Sequence, residues 1–171
     1  MASLSGLRLR EVLKRKNPYL FKAKNLVTAA ELVSGMLTAC LSSQEETIFG
    51  AFLEGLAIFI CARAYAGRKS AAEGIDLEFE KDAILYIVSL KSGPNWGNSS
   101  QINRMKENFR KAKRILGTNI SARNIVAVNG CCYGREPSED KGEYLKKCGQ
   151  RFWSFISGEK SLYTDIIGPL G

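Results

Sequence analysis

Asp76 and Lys91 are the residues of this sequence best placed to do chemistry together. Ile75, Leu77 and Phe79 alternate with Asp76, Glu78 and Glu80, which predicts a half-buried strand; the run AILYIVSLK, Ala83 to Lys91, predicts a second and more deeply buried one. With a two-residue turn at Lys81-Asp82, Asp76 lies opposite Ile87, and side-chain alternation puts Ser89 and Lys91 on the same face as Asp76. A carboxylate and an ammonium facing one space suit metal-assisted hydrolysis of a phosphodiester. The acid holds a cation against a phosphate oxygen, and the lysine stabilises developing charge or prepares the attacking water. Glu54 is the third candidate. It stands within Phe52-Leu53-Glu54-Gly55-Leu56-Ala57-Ile58-Phe59, and an acid among apolar neighbours is costly to bury unless it meets a metal, water or a basic partner. Pairing with a lysine or arginine, or arrival at the surface, explains it equally well.

Composition narrows the chemistry further. The 171 residues contain no histidine, which removes imidazole-based triads, His-ligated zinc or iron and His-ligated haem. The net charge of +8 is distributed in blocks: residues 1–25 hold seven basic side chains and one acid, residues 104–114 hold six and one, and residues 26–91 sum to −4. Basic flanks around an acidic middle fit a polyanion gripped beside a carboxylate-lined site, and nucleic acid is such a polyanion. The five cysteines, Cys40, Cys61, Cys131, Cys132 and Cys148, have no C-x-x-C spacing. Cys40 and Cys61 lie in apolar runs and read as core thiols, and the Cys131-Cys132 pair reads as structural. The N-terminus MASLSGLRLREVLKRK lacks a continuous apolar segment, and no apolar run reads as long enough to span a membrane, so a reducing cytoplasm is expected.

The elements that must position these groups follow from periodicity. Asn17-Pro18 separates a short basic amphipathic piece from a helix over Thr28 to Leu41. Ser42 or Ser43, followed by Glu45 and Glu46, reads as the cap of a second, long and largely buried helix through Ile48, Phe59 and Tyr65, which Gly67 ends. After the hairpin, the polar loop SGPNWGNSSQ leads into a helix with Ile102, Met105, Phe109, Ala112 and Leu116 on one face. A strand from Asn124 to Asn129, a helix from about Lys141 to Ser157 and a short helix near Leu162 to Ile167 complete the chain. The pattern predicts a single α/β or α+β domain over 1–171, with the basic segment 1–25 as an arm.

Gly74-Ile75-Asp76, a hydrophobic hairpin ending Val88-Ser89-Leu90-Lys91, and a preceding helix bearing Glu54 together resemble the PD-(D/E)xK nuclease core of many type II restriction endonucleases. The longer strings KNPYLFKAKN, EGIDLEFE, VSLKSGPNWGNSSQI and VAVNGCCYG resemble the PmeII-like restriction endonucleases along nearly the whole chain. The resemblance implies a central mixed sheet with helices on both faces and the active site on the hairpin. It also implies an Mg²⁺-dependent enzyme, with Mn²⁺ as a substitute, that belongs to a restriction-modification system and cuts both strands of a short duplex DNA site as a homodimer. Asp76 matches the first acid of the motif and Lys91 its lysine. Ser89 stands where the motif has Asp or Glu, so a second acidic ligand is needed from elsewhere. Glu54 is the first choice, Glu78 the second and Glu73 the third, with Ser89 left to position water.

The loop after Lys91 is the expected DNA reader. Asn95, Asn98, Ser99, Ser100 and Gln101 carry amides and hydroxyls suited to base edges, and Trp96 is placed to wedge or to pack. Arg104 and Lys106, with part of the basic set Arg110, Lys111, Lys113 and Arg114, are expected on phosphates, and Asn129 and Tyr133 are further contact candidates. A plainer reading has Ser99 or Ser100 capping the helix and Trp96 anchoring the loop. Two rival functions remain: a repair or junction nuclease of the same superfamily, and a catalytically inactive DNA-binding protein.

Overall fold

A computed structural model describes residues 28–119 and 124–167. The basic segment 1–25 and Asn17-Pro18 lie outside the described residues, as does the side chain of Cys40. Two compact units divide at the Phe49/Gly50 bond. The boundary falls inside the first helix, α1 (Ala29–Tyr65), which runs unbroken where two helices were expected. Ser42 and Ser43 cap nothing. Thr28 does so instead: its hydroxyl accepts the Glu31 amide at 3.2 Å while the Glu31 carboxylate accepts the Thr28 amide at 3.1 Å. Thr38 and Thr47 bond back to the carbonyls of Ser34 and Ser43, so the hydroxyl-rich stretch satisfies itself inside the helix.

The expected burial of α1 also changes. Leu53, Ala57 and Cys61, spaced four apart, form the stripe that enters the core, whereas Ile48, Phe52 and Phe59 are exposed. A helical stretch, Val33–Tyr65, is long and apolar enough to cross a membrane by length and composition, with an eighteen-residue window of mean hydropathy 1.6, contrary to the expectation from sequence. The helix ends at Tyr65, where Ala66 turns to positive φ and the Gly67 amide returns to the Cys61 carbonyl.

The unit from Gly50 onward is built on four strands in the order β1-β2-β3-β4: β1 (Leu77–Lys81), β2 (Ile84–Lys91), β3 (Asn124–Cys131) and β4 (Leu145–Cys148). β1 and β2 are antiparallel, and β2-β3 and β3-β4 are parallel, which makes the sheet mixed. Helices α2 (Ser99–Asn119), α3 (Gln150–Ser157) and α4 (Leu162–Ile167) complete the elements among the described residues. On one face, Leu77, Phe79, Val88, Leu90 and Val128 pack against Leu53, Ala57 and Cys61 of α1 and Phe152, Trp153 and Ile156 of α3. On the other, Ile87 and Ala127 meet Met105, Phe109 and Ala112 of α2. An α/β sheet covered on both faces is the fold expected.

Two local details differ. The hairpin turns at Asp82-Ala83, both at positive φ, so Lys81 pairs with Ile84 and Leu77 with Val88. Asp76 is therefore level with Ser89 rather than Ile87. A slip of two residues preserves the pleat, and Ser89 and Lys91 stay on the Asp76 side. No glycine marks this turn, which is why its position was misread. The helix expected from Lys141 is partly β4: Leu145 to Cys148 pair in parallel with Val128 to Cys131 before Gly149, at φ +53°, turns the chain into α3. Four residues are too short for a periodic signal, and their pairing with β3 is nonlocal.

Candidate active site

Three charged groups converge near the end of β2. Asp76 immediately precedes β1, and its Oδ2 accepts the backbone N–H of Leu90 at 2.6 Å, a link across fourteen residues of hairpin. Burial pushes the Asp76 carboxyl above the usual aspartate range; the Leu90 N–H and the charges of Lys91 and Lys69 oppose that shift, and the nearby negative charge of Glu54 adds to it. Glu54 and Lys91 line one cleft of about 200 Å³ with Gly50, Leu90, Ser92 and Cys132. Glu54 comes from α1, Asp76 from the approach to β1 and Lys91 from the end of β2.

Glu54 is partly exposed and ion-paired to Lys69 Nζ at 3.1 Å. Glu54 thus meets a basic partner at the surface, as the plainer reading has it, while its charge also reaches Asp76. Lys69 was missed from the sequence; its only local signal is the basic pair Arg68-Lys69 directly after the helix stop. Glu78, the second choice for a metal ligand, is buried and has both oxygens engaged, Oε1 by Arg68 Nε at 2.6 Å and Oε2 by the Ser70 hydroxyl at 3.0 Å. Glu73 pairs with Arg104 at 3.7 Å on the surface. Among the described residues, no three Asp, Glu or Cys side chains cluster as a metal site. The hard carboxylate oxygens of Asp76 and Glu54 are nonetheless suitable donors for Mg²⁺, which commonly binds through one or two carboxylates and fills its shell with water and phosphate.

Ser89 is buried in β2 opposite Asn129 of β3. Asn129, expected at DNA, is only 1% exposed. Its Nδ2 donates to the Ser89 carbonyl at 3.2 Å, and its Oδ1 accepts Trp96 Nε1–H at 3.1 Å. β3 is an inner strand covered on both faces, which leaves its Asn129 side chain no route to a groove. Trp96 is thereby anchored to the core, and the Lys91 ammonium sits 5.1 Å from the centre of its ring.

The loop itself is tied down at several points. Tyr133 N–H donates to the Ser92 carbonyl, and Lys146 Nζ donates to the Pro94 carbonyl at 3.0 Å. Gly93 lies so close beneath the Tyr133 ring that a Cβ there would come within 2.4 Å of ring carbons. Asn98 caps α2, in place of Ser99 or Ser100: its Oδ1 accepts the Gln101 amide at 3.0 Å and the Gln101 Oε1 accepts the Asn98 amide at 2.9 Å. Asn95, Ser99, Ser100 and Tyr133 remain exposed. Lys106 is paired with Glu143 at 3.2 Å, and Arg110 with Glu143 and Glu107.

Among the described residues, Cys61, Cys131, Cys132 and Cys148 are free and buried. Burial pushes the thiols of Cys61 and Cys132 up to about 12, far from the reactive thiolate form.

No curated protein matches the sequence. The family model for type II restriction endonuclease EcoO109I matches residues 1–171, the whole chain. A mixed four-stranded sheet covered by helices is a fold in keeping with that match. The chain belongs to the type II restriction endonuclease EcoO109I family, and is accordingly a DNA endonuclease, a hydrolase of phosphodiester bonds.

Proposed function

We propose that the protein cuts duplex DNA at a specific short site in an Mg²⁺-dependent reaction centred on Asp76, Glu54 and Lys91, with Mn²⁺ able to substitute. The observation that carries this reading is that Glu54 and Lys91 line one cleft, with the buried Asp76 carboxylate, held by the Leu90 N–H at that cleft's wall, within charge reach of both. The two carboxylates favour a cation. A bound Mg²⁺ would supply Lewis-acid polarisation of the phosphate and a more acidic water. The Leu90 N–H fixes one oxygen of Asp76 and leaves Oδ1 to ligate, while Glu54 brings a second carboxylate from α1 once Lys69 yields it. Lys91 stabilises the charge that develops on the phosphate and orients the attacking water. Ser89, buried below them, supports the strand end where an acid was expected.

The whole chain acts as one nuclease domain in the cytoplasm, as a homodimer with one site for each DNA strand, and the PmeII-like resemblance is its finer kinship. Asn95, Ser99, Ser100 and Tyr133 are the exposed groups offered to base edges or phosphates, with Arg104 and Lys106 on phosphates. Digestion of a sequenced plasmid with Mg²⁺, followed by mapping of the ends, tests the reading. Discrete fragments with 5′-phosphates, lost on chelation, are expected. Nicking confined to branched or damaged DNA would replace it with a repair or junction nuclease. No cleavage in either metal, with salt-dependent DNA binding retained, would replace it with an inactive binding protein.

A further inference from the structure

Lys91 is held from one side by an aromatic ring that is itself fixed to the centre of the sheet. Its ammonium lies 5.1 Å from the centroid of the Trp96 ring, within the range at which an indole face attracts a cation. The indole is not free to turn, because its Nε1–H donates to Asn129 Oδ1 at 3.1 Å. Asn129 is 1% exposed and is fixed in turn by its donation to the Ser89 carbonyl, two residues before Lys91 on the same strand. Gly93 and Pro94, which lead the chain from Lys91 to Trp96, are pinned by the Tyr133 ring and by Lys146. The linkage closes on itself: strand β2, loop, ring, strand β3 and back to β2.

We infer that Trp96 is a positioning residue for Lys91: its ring face holds the ammonium beside Asp76, and DNA reading is not its role. A lysine has a flexible four-carbon stem, so a ring that removes alternative placements raises the fraction of molecules with the ammonium in place before DNA arrives. The inference rests on Lys91 being part of the catalytic machinery, as proposed above.

The test compares Trp96→Phe with Trp96→Leu. Both lose the N–H to Asn129, so their difference isolates the ring face. Cleavage of a defined duplex in Mg²⁺ is followed with kcat and KM separated, and folding is checked by circular dichroism. Trp96→Leu is expected to lower kcat about fivefold to tenfold, as loss of one cation–π contact allows, with KM unchanged. Trp96→Phe is expected to keep most of kcat. Equal kcat in both variants, or a rise in KM alone, overturns the inference. If Trp96→Leu does not fold, the Lys91 ε-methylene protons of the unaltered protein decide the matter. They are assigned by their disappearance in Lys91→Arg, and ring current should move them upfield; ordinary lysine shifts overturn the inference. Lys91→Ala serves as the separate control. Undiminished cleavage by Lys91→Ala would show that the proposed site is wrong and would remove the basis of the inference, whereas an inactive Lys91→Ala with an indifferent Trp96→Leu rejects the positioning role alone.

Discussion

Asn129 lies directly opposite Ser89 in the parallel pairing of β2 and β3, and its side-chain amide donates to the Ser89 carbonyl at 3.2 Å. The position at which a carboxylate was expected is thus buttressed from the next strand by a buried amide that also receives the Trp96 N–H. Replacing Asn129 by Leu leaves that N–H and that carbonyl without their partner. A loss of about 2–3 kcal/mol in folding stability is expected. Urea denaturation measures it, and a change below a few tenths would show that the tie contributes little. Because the residue is buried, DNA affinity of the folded fraction should not change.

Asp76→Asn keeps an oxygen able to accept the Leu90 N–H while removing the charge. Cleavage in Mg²⁺ should fall by about 10³-fold, the scale on which a lost electrostatic contact to the reacting group is felt. Activity within tenfold of the unaltered enzyme would remove Asp76 from the site.

The same substitution has a second, pH-dependent consequence in metal-free protein. A carboxyl whose pKa is raised by folding binds its proton more tightly in the native state. Its contribution to stability is therefore fully present below the ordinary aspartate range and is lost as pH rises through the folded pKa. Asp76→Asn should be more stable than the parent at neutral pH, and the gap should close on acidification. Thermal melts in chelator at several pH values test the sign; a parent more stable at neutral pH would contradict the burial argument.

Lys69 occupies Glu54 in the absence of a cation, at 3.1 Å. Lys69→Gln should tighten Mn²⁺ binding without DNA by roughly twofold to fivefold, the worth of a partly exposed ion pair. Titration calorimetry reads this directly, and weaker binding would mean that Lys69 organises Glu54 rather than competing for it.

Asn98→Ala removes the reciprocal cap with Gln101. The expected cost is about 1 kcal/mol of stability, with specificity for the cleaved site retained. Loss of site preference at unchanged stability would return Asn98 to the role of a base reader.

Parts of this molecule were legible in the sequence because their signal was local. The alternation around Leu77 and Phe79 and the apolar run to Lys91 gave the hairpin, and the facing of Asp76 and Lys91 survived a two-residue error in register because the pleat repeats every two residues. The stripe of Met105, Phe109 and Ala112 gave the inner face of α2. What was misread depended on partners distant in the chain. β4 is a strand because β3 lies beside it, and Asn129 is a brace because Trp96, 33 residues earlier in the chain, meets it. Lys69 is adjacent to Glu54 only in space. Hydroxyl-rich Ser42-Ser43 had the composition of a cap, and no local rule distinguishes that from a helix that simply continues.

The parallel pairing of β2 with β3 also sets an order of events. Asp76, Leu90 and Lys91 belong to a hairpin whose contacts span few residues, and hairpins close in microseconds. The Ser89↔Asn129 pairing joins residues forty apart in sequence, across a crossover that includes α2, and such nonlocal contacts are slower to form. During folding or synthesis the acid and the lysine are thus brought together first, on a hairpin whose lysine is still unrestrained, and β3 locks them afterwards. A chain stopped before Asn124 would contain every residue of the proposed chemistry and lack the strand that holds it in place.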